Sequence, residues 1–211
     1  MTSPVDLIPA LSDNYIAVLR SPDGRRAAIV DPAEAEPVEQ FLEATDLAPV
    51  AILNTHHHPD HVGGNRALQT RYDLPVYGAA ADRERIPGLT HPLHDGDTIA
   101  PPGLERTAEV WAVPGHTRGH IAFLFREDHL LFAGDTLFAA GCGRLFEGTP
   151  AEMCTSLTRL AGLPGETRLF CAHEYTLKNL RFAREVEPDN TEVAQRLAAA
   201  EAARERDEPT L

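Results

Sequence analysis

The stretch T-H-H-H-P-D-H at positions 55–61 concentrates metal-ligand chemistry in one short segment. Imidazole nitrogen and carboxylate oxygen are the donors that a borderline divalent cation takes. His56 and His58 are two apart, so in extended backbone both project to the same side. Asp60 and His61 follow on a turn that Pro59 and Gly63-Gly64 favour, so one loop could feed two adjacent cation positions. A His-rich surface loop is the competing reading. The cluster, however, follows an apolar run, Val50 to Leu53, and does not lie at a terminus, which favours ligation.

Three later segments end in a comparable way. Trp111 to His116 closes with P-G-H, Leu130 to Asp135 with A-G-D, and Arg168 to His173 with C-A-H. Each is weak alone, because a histidine at a strand end is commonly a polar cap and Gly-Asp is commonly a turn. Jointly, four strand ends present seven ligand-type residues with no cysteine among them. Strand ends along one sheet edge are where sites gather. Neutral His56, His58 and His116 can then hold a first cation and Asp60, His61 and His173 a second. Asp135, with two oxygens, can bridge them at the separation of about 3.5–4 Å usual for two-metal sites. A water between such cations has a lowered pKa and attacks a carbonyl or phosphoryl centre, with Asp60 and Asp135 the carboxylates closest to the chemistry. The other histidines, His57, His91, His94, His120 and His129, read as supporting or surface residues. His120, four after His116, is placed to brace that loop.

The elements that must position these residues are legible in outline. Tyr15 to Arg20 and Arg26 to Val30 are β-rich runs joined by the turn Ser21-Pro22-Asp23-Gly24, which predicts a hairpin. Val38, Phe41 and Leu42 at helical spacing predict a helix over 34–44. Val50 to Leu53 is a short apolar strand running into the histidine loop. A helix is predicted over 65–72 and a strand over 75–77. Asp95-Gly96-Asp97 reads as a turn. Further strands are predicted over 109–113, 121–125, 130–133 and 168–171. Thr149-Pro150-Ala151-Glu152 is a capping box with proline at the first helical position, so a helix should run to about Leu160, where Gly162 and Pro164 stop it. After Thr176 only helical text remains, over 177–185 and 191–206. No repeat of fixed period is present.

The 211 residues fit one substantial domain with a small appendage. With 43% hydrophobic and 24% charged residues, global disorder is excluded, and no apolar run reaches the length of a membrane span. Nineteen basic against 32 acidic residues leave a net charge of −13, which argues against nucleic acid and anionic membrane surfaces as partners. Three cysteines, Cys142, Cys154 and Cys171, form no framework, and the N-terminus carries no signal-peptide pattern. A reducing, cytoplasmic setting is expected. The acidic surface without an evident apolar stripe points to a monomer.

H-x-H-x-D-H, followed by G-H-T, G-D-T and a final H-E, resembles the metallo-β-lactamase fold superfamily over about residues 8–175. That resemblance implies an α/β (α+β) four-layer αββα sandwich with a dinuclear site at one edge, and its ligands fall on the seven residues above. Within the superfamily, A-G-D-T-L-F-A-A-G-C-G-R-L-F-E-G-T-P at 133–150, A-H-E-Y-T at 172–176, D-N-Y at 13–15 and E-R-I-P-G-L at 84–89 resemble glyoxalase II, the hydroxyacylglutathione hydrolases. The resemblance implies a catalytic domain over 1–175 and a helical region over 176–211. It also implies hydrolysis of S-D-lactoylglutathione to D-lactate and glutathione, a step of methylglyoxal detoxification. Two divalent ions are implied, zinc foremost, though His and Asp serve iron and manganese equally. The family's glutathione contacts fall on Arg144, Leu145, Phe146 and Tyr175. A guanidinium at Arg144 suits a peptide carboxylate, whereas Phe146 replaces the tyrosine of other members. The family usually adds a further basic glutathione-binding stretch beyond a region like R-E-R-D-E-P-T-L, so the helical region, which ends at Leu211, is expected to be short or trimmed.

Two other enzyme readings stay open on sequence: a mononuclear iron oxidoreductase resembling persulfide dioxygenase, and a hydrolase of a different thioester. A lactamase, a nuclease and a metal-holding module without catalysis fit less well.

Overall fold

Whether strand ends can share a site depends on strand direction, and the sheet topology settles it. The structure is a computed structural model that describes residues 4–210. Its first sheet joins β1 (Val5–Ala10), β2 (Asn14–Arg20), β3 (Arg26–Val30), β4 (Ala48–Leu53), β5 (Val76–Ala79) and β6 (His91–Leu93) in that order. The first three strands are antiparallel, and β3 to β6 run parallel. The second sheet takes β7 (Thr98–Ile99), β8 (Ala108–Ala112), β9 (Ile121–Phe125), β10 (Leu130–Gly134) and the later strand β13 (Arg168–Cys171), ordered β13-β10-β9-β8-β7. A two-stranded ribbon of β11 (Leu137–Phe138) and β12 (Gly141–Cys142) lies beside it. Both β8 and β10 are antiparallel to β9, and β13 is parallel to β10. The C-terminal ends of β8, β10 and β13 therefore open at one end of the sheet.

Among the described residues, six α-helices complete the fold: α1 (Ala35–Thr45), α2 (Pro59–Val62), α3 (Asn65–Tyr72), α4 (Pro150–Ala161), α5 (Thr176–Val186) and α6 (Thr191–Arg204). Three apolar layers hold the sandwich together. Between the sheets, Leu19, Leu53, Phe123, Phe125 and Phe132 are almost fully buried. There Phe132 stacks on Phe170 and meets the edge of Phe125, the geometries that ring quadrupoles prefer. Outside the first sheet, Val38 and Leu42 of α1 and Leu68 of α3 pack on Ile16, Ile29 and Ile52. Outside the second, Leu160 of α4 packs on Leu124 and Leu131. Helix, sheet, sheet, helix is the αββα order, and β9 reads I-A-F-L-F because it is buried on both faces. No described helix is long and apolar enough to cross a membrane.

Helix α4 begins where its capping box predicts. The Thr149 hydroxyl accepts from the Glu152 amide at 3.2 Å, and the Glu152 carboxylate accepts from the Thr149 amide at 2.7 Å. Thr149→Ala is expected to cost about 1 kcal/mol, lowering the melting temperature by about 2–4 °C in a domain of this size. Thermal unfolding followed by circular dichroism checks it.

Candidate metal centre

The histidine loop leaves β4 under tight backbone control. The Asn54 amide donates to the Tyr77 carbonyl at 2.8 Å, and its side-chain amide donates to the His61 carbonyl at 3.0 Å. Pro59 opens α2, and this single helical turn presents Asp60 and His61 inward. From the second sheet, His116 follows β8, Asp135 follows β10 and His173 follows β13. Gly134 makes the exit from β10 possible: its φ of +48° is left-handed, and a Cβ there would strike the Thr55 side chain.

All seven ligand-type residues meet. His56, His58 and His116 form one group whose ligand atoms lie within 4.8 Å of one another, as do those of Asp60, His61 and His173. His58 Nδ1 is 3.0 Å from His116 Nε2. His173 Nε2 and His61 Nε2 stand 3.5 and 3.6 Å from Asp60 Oδ2. Asp135 reaches both groups: its Oδ2 is 3.5 Å from His116 Nε2 and 3.4 Å from His173 Nε2, and its Oδ1 is 3.5 Å from His61 Nε2.

The opposite ring nitrogens are engaged elsewhere, which aims the inward ones. His61 Nδ1 lies 3.1 Å from Asp31 Oδ2, His173 Nδ1 lies 2.9 Å from Asp13 Oδ1, and His116 Nδ1 lies 2.7 Å from the Arg144 carbonyl. Such outer contacts fix tautomer and ring orientation in metal sites. Asp31 also accepts from the Thr55 amide at 2.7 Å and the Thr55 hydroxyl at 2.6 Å. Asn14 donates to Asp60 Oδ2 at 3.1 Å. His120 accepts from the Asp135 amide at 3.1 Å and stacks on His56 at 4.6 Å, so it braces the aspartate as well as its own loop. Asp13, Asn14 and Asp31 escaped the sequence-based ligand search, although Asp31 followed by proline at the end of β3 carries the same strand-end signal as the others.

The electrostatics divide the cluster. Burial, then the neighbouring histidines, holds His56 well below its ordinary pKa, and burial likewise lowers His58 and His116. Burial pushes His120 down to about 3. These rings are neutral and present lone pairs. His61 goes the other way: burial opposes its charge, but Asp135, Asp31 and Asp60 prevail and raise it to about 9. Against burial, His61, His173 and His116 hold Asp135 below the carboxylate range. The negative charge that draws a proton onto His61 is charge that a divalent cation would satisfy.

A metal fits this arrangement on a direct observation. His56 Nε2, His61 Nε2 and Asp135 Oδ1 are buried with no hydrogen-bond partner. Buried polar atoms are nearly always satisfied, and three orphaned ligand atoms converging on one space are what a cation would complete.

Around the mouth lie the residues implied as substrate contacts. Phe146, 59% exposed, meets the rings of His58 and His116 edge-on at 5.4 and 5.3 Å. The Arg144 guanidinium sits 5.3 Å from the Phe146 ring. Tyr175 stacks on His173 at 4.7 Å. Leu145 is exposed beside them. Of the remaining histidines, His91, His94 and His129 are on the surface, while His57 donates to the fully buried Asp82.

Comparison with known proteins adds independent findings. The family model described as "Metallo-beta-lactamase superfamily" matches residues 11–188, and that described as "Hydroxyacylglutathione hydrolase C-terminus" matches 174–211. A relative from Gloeobacter violaceus named hydroxyacylglutathione hydrolase is 58% identical, over 96% of this chain and 80% of its own. One of the same name from a Synechococcus species is 55% identical, over 98% and 82%. Among solved structures, the BLEG-1 B3 metallo-beta-lactamase superposes with a TM-score of 0.73 at 27% identity, over 80% of this chain and 91% of its own. ETHE1 from Myxococcus xanthus gives 0.69 at 28%, over 81% and 76%. A protein titled TTHA1623 in a di-iron-bound form gives 0.66 at 32%, over 82% and 92%.

Proposed function

Because the chain belongs to the metallo-β-lactamase superfamily, and within it to the hydroxyacylglutathione hydrolases, we infer that it hydrolyses S-D-lactoylglutathione to D-lactate and glutathione at the centre described above. The observation that carries this reading is the reach of Asp135 to both ligand groups, beside a mouth lined by Arg144, Phe146 and Tyr175.

His56, His58 and His116 would hold one divalent ion, Asp60, His61 and His173 another, and Asp135 both. Such a pair supplies Lewis acidity toward a carbonyl oxygen and a water acidic enough to act as nucleophile near neutral pH. The protein's own groups do the rest. Asp60 keeps 36% of its side chain exposed at the mouth, against 10% for Asp135, so Asp60 is the carboxylate open to a water proton. Against partial burial, the neighbouring His61 and then the hydrogen bond from Asn14 hold that carboxylate ionised, and the Asn14 bond orients it. Arg144 pairs with a carboxylate of the tripeptide, while Phe146 and Tyr175 flank the acyl-sulfur end. A thiol of ordinary pKa near 8.5 leaves as thiolate without a strong general acid.

Zinc is our assignment for both positions, since imidazole and carboxylate donors suit it, and we assign a small-molecule glutathione thioester as the partner of a monomeric chain. Three free cysteines support a reducing, cytoplasmic setting. A complete second ligand group supports the hydrolase over a one-iron oxidoreductase.

Steady-state hydrolysis of S-D-lactoylglutathione tests the reading, with an acetyl thioester of another carrier as control. Chelation is expected to abolish turnover and readdition of zinc to restore it, with bound metal near about two per chain. Metal-replete protein inert toward glutathione thioesters would overturn the substrate assignment.

A further inference from the structure

The segment that carries Arg144 and Phe146 is tied down on one side mainly through its backbone, with His116 Nδ1 also held 2.7 Å from the Arg144 carbonyl. The Phe146 and Glu147 amides both donate to the His116 carbonyl, at 3.1 and 3.4 Å, and the Gly148 amide donates to the Gly115 carbonyl at 3.1 Å. These bonds bind it to the second sheet's loop. A side chain binds it to the other half of the sandwich. Glu147 pairs with Arg85, which lies in the loop beyond β5 of the first sheet, and accepts from the Arg118 amide at 2.9 Å. An exposed ion pair contributes little by itself. Arg85 differs because its other nitrogen is committed to Asp82, whose side chain is fully buried.

Asp82 could not stay charged in that position without partners. His57 Nδ1 stands 2.9 Å from it, and the Arg85 guanidinium stands 3.1 Å from His57 Nε2. With Nε2 accepting from Arg85, the ring's proton sits on Nδ1 and is donated to Asp82. The planar fork of Arg85 is thus held in place by a buried carboxylate and a ring before it meets Glu147. The chain Asp82–Arg85–Glu147 crosses from one sheet's loops to the other's beside the mouth, and it ends on the residue next to Phe146.

We propose that Glu147, clamped by Arg85, is a positioning residue that fixes the Arg144–Phe146 face for the thiol carrier, so that the pair sets binding of the glutathione moiety and not the rate of the chemical step. The substrate part of this proposal rests on the hydrolase reading above. The clamp itself does not.

Two variants test it, Glu147→Gln and Arg85→Gln, with Glu147→Gln decisive if loss of Arg85 destabilises the buried Asp82. Amide hydrogen exchange is the first readout. Exchange at Phe146 and Glu147 is expected to rise about tenfold in Glu147→Gln with β9 and β10 still protected. Unchanged exchange would overturn the clamp whatever the substrate is. Kinetics are the second readout. KM for S-D-lactoylglutathione is expected to rise about tenfold with kcat within about twofold, while a short thioester lacking the tripeptide keeps its KM. A fall in kcat at unchanged KM, or equal losses on both substrates, would overturn the positioning role. If wild-type protein does not turn over the glutathione thioester, the hydrolase reading fails, and the exchange result alone decides the clamp.

Discussion

Asp135→Ala is expected to abolish hydrolysis and strip most of the bound metal in the same variant. Its carboxylate lies within 3.5 Å of ligand nitrogens from both groups, on His116, His61 and His173. It is also the main negative charge that these histidines face: Asp135 leads the attractive contributions at His61 and His116. Removing it takes away the one carboxylate that faces all three rings, leaving His61 and His173 only Asp60 and their outer carboxylates, which penalises a second cation beside the first. Loss of the reacting geometry and of the charge together should lower kcat/KM by more than about 10³-fold, roughly 4 kcal/mol or more of transition-state stabilisation. Asp135→Asn keeps the volume and one coordinating oxygen, so it should retain more metal than the alanine variant while remaining nearly inactive. Metal analysis by mass spectrometry and initial rates on the same preparations check both, with circular dichroism as the fold control. Full activity, or full metal occupancy, in Asp135→Ala would remove Asp135 from the centre.

Most elements that position the site can be read from the sequence because their signals are local. The hairpin of β2 and β3 is announced by its turn, α4 by its capping box, and α1 by the helical spacing of Val38, Phe41 and Leu42, which proves to be its inward face. The elements that escape are those whose identity is conferred by a neighbour. β1 reads V-D-L-I-P-A, and β6 reads H-P-L. Both carry proline, and both prove to be edge strands of the six-stranded sheet, the place where a missing amide is tolerated. Helix α2 is a single turn, too short for any periodicity to register. The site divides along the same line. Ligand types at strand ends stand out as polar residues closing apolar runs, and the structure brings all seven together. Asp82 looks like a loop acid in the sequence. Only folding places it, fully buried, under His57 and Arg85.

Asp31 shows how much can depend on a residue outside the ligand set, and Asp31→Ala is expected to damage metal binding without touching a proposed ligand. The residue sits at the end of β3 with φ of +50°, a left-handed conformation that aspartate adopts more readily than most residues. From there its two oxygens serve three groups that are all buried: the Thr55 amide, the Thr55 hydroxyl and His61 Nδ1. The first two hold the start of the histidine loop, and the third sets which nitrogen of His61 faces Asp135. In alanine the Thr55 amide and His61 Nδ1 lose this partner at once, and the Thr55 hydroxyl is left with His56 Nδ1 at 3.1 Å. An unsatisfied buried group costs about 1–3 kcal/mol, so metal-free protein should be markedly less stable, and the left-handed backbone adds strain that alanine relieves poorly. Removing a carboxylate that orients a metal-bound histidine typically costs about 10–100-fold in metal affinity. Asp31→Asn separates the two effects. It keeps an oxygen for Thr55 and should recover much of the stability. It lacks the charge that favours the His61 orientation, so affinity at the Asp60–His61–His173 group should stay low while the His56–His58–His116 group is spared. Competition titrations with a chromophoric chelator check this: two unequal affinities are expected in Asp31→Asn, and a uniform loss across both groups would show that Asp31 acts through the fold of the loop and not through His61.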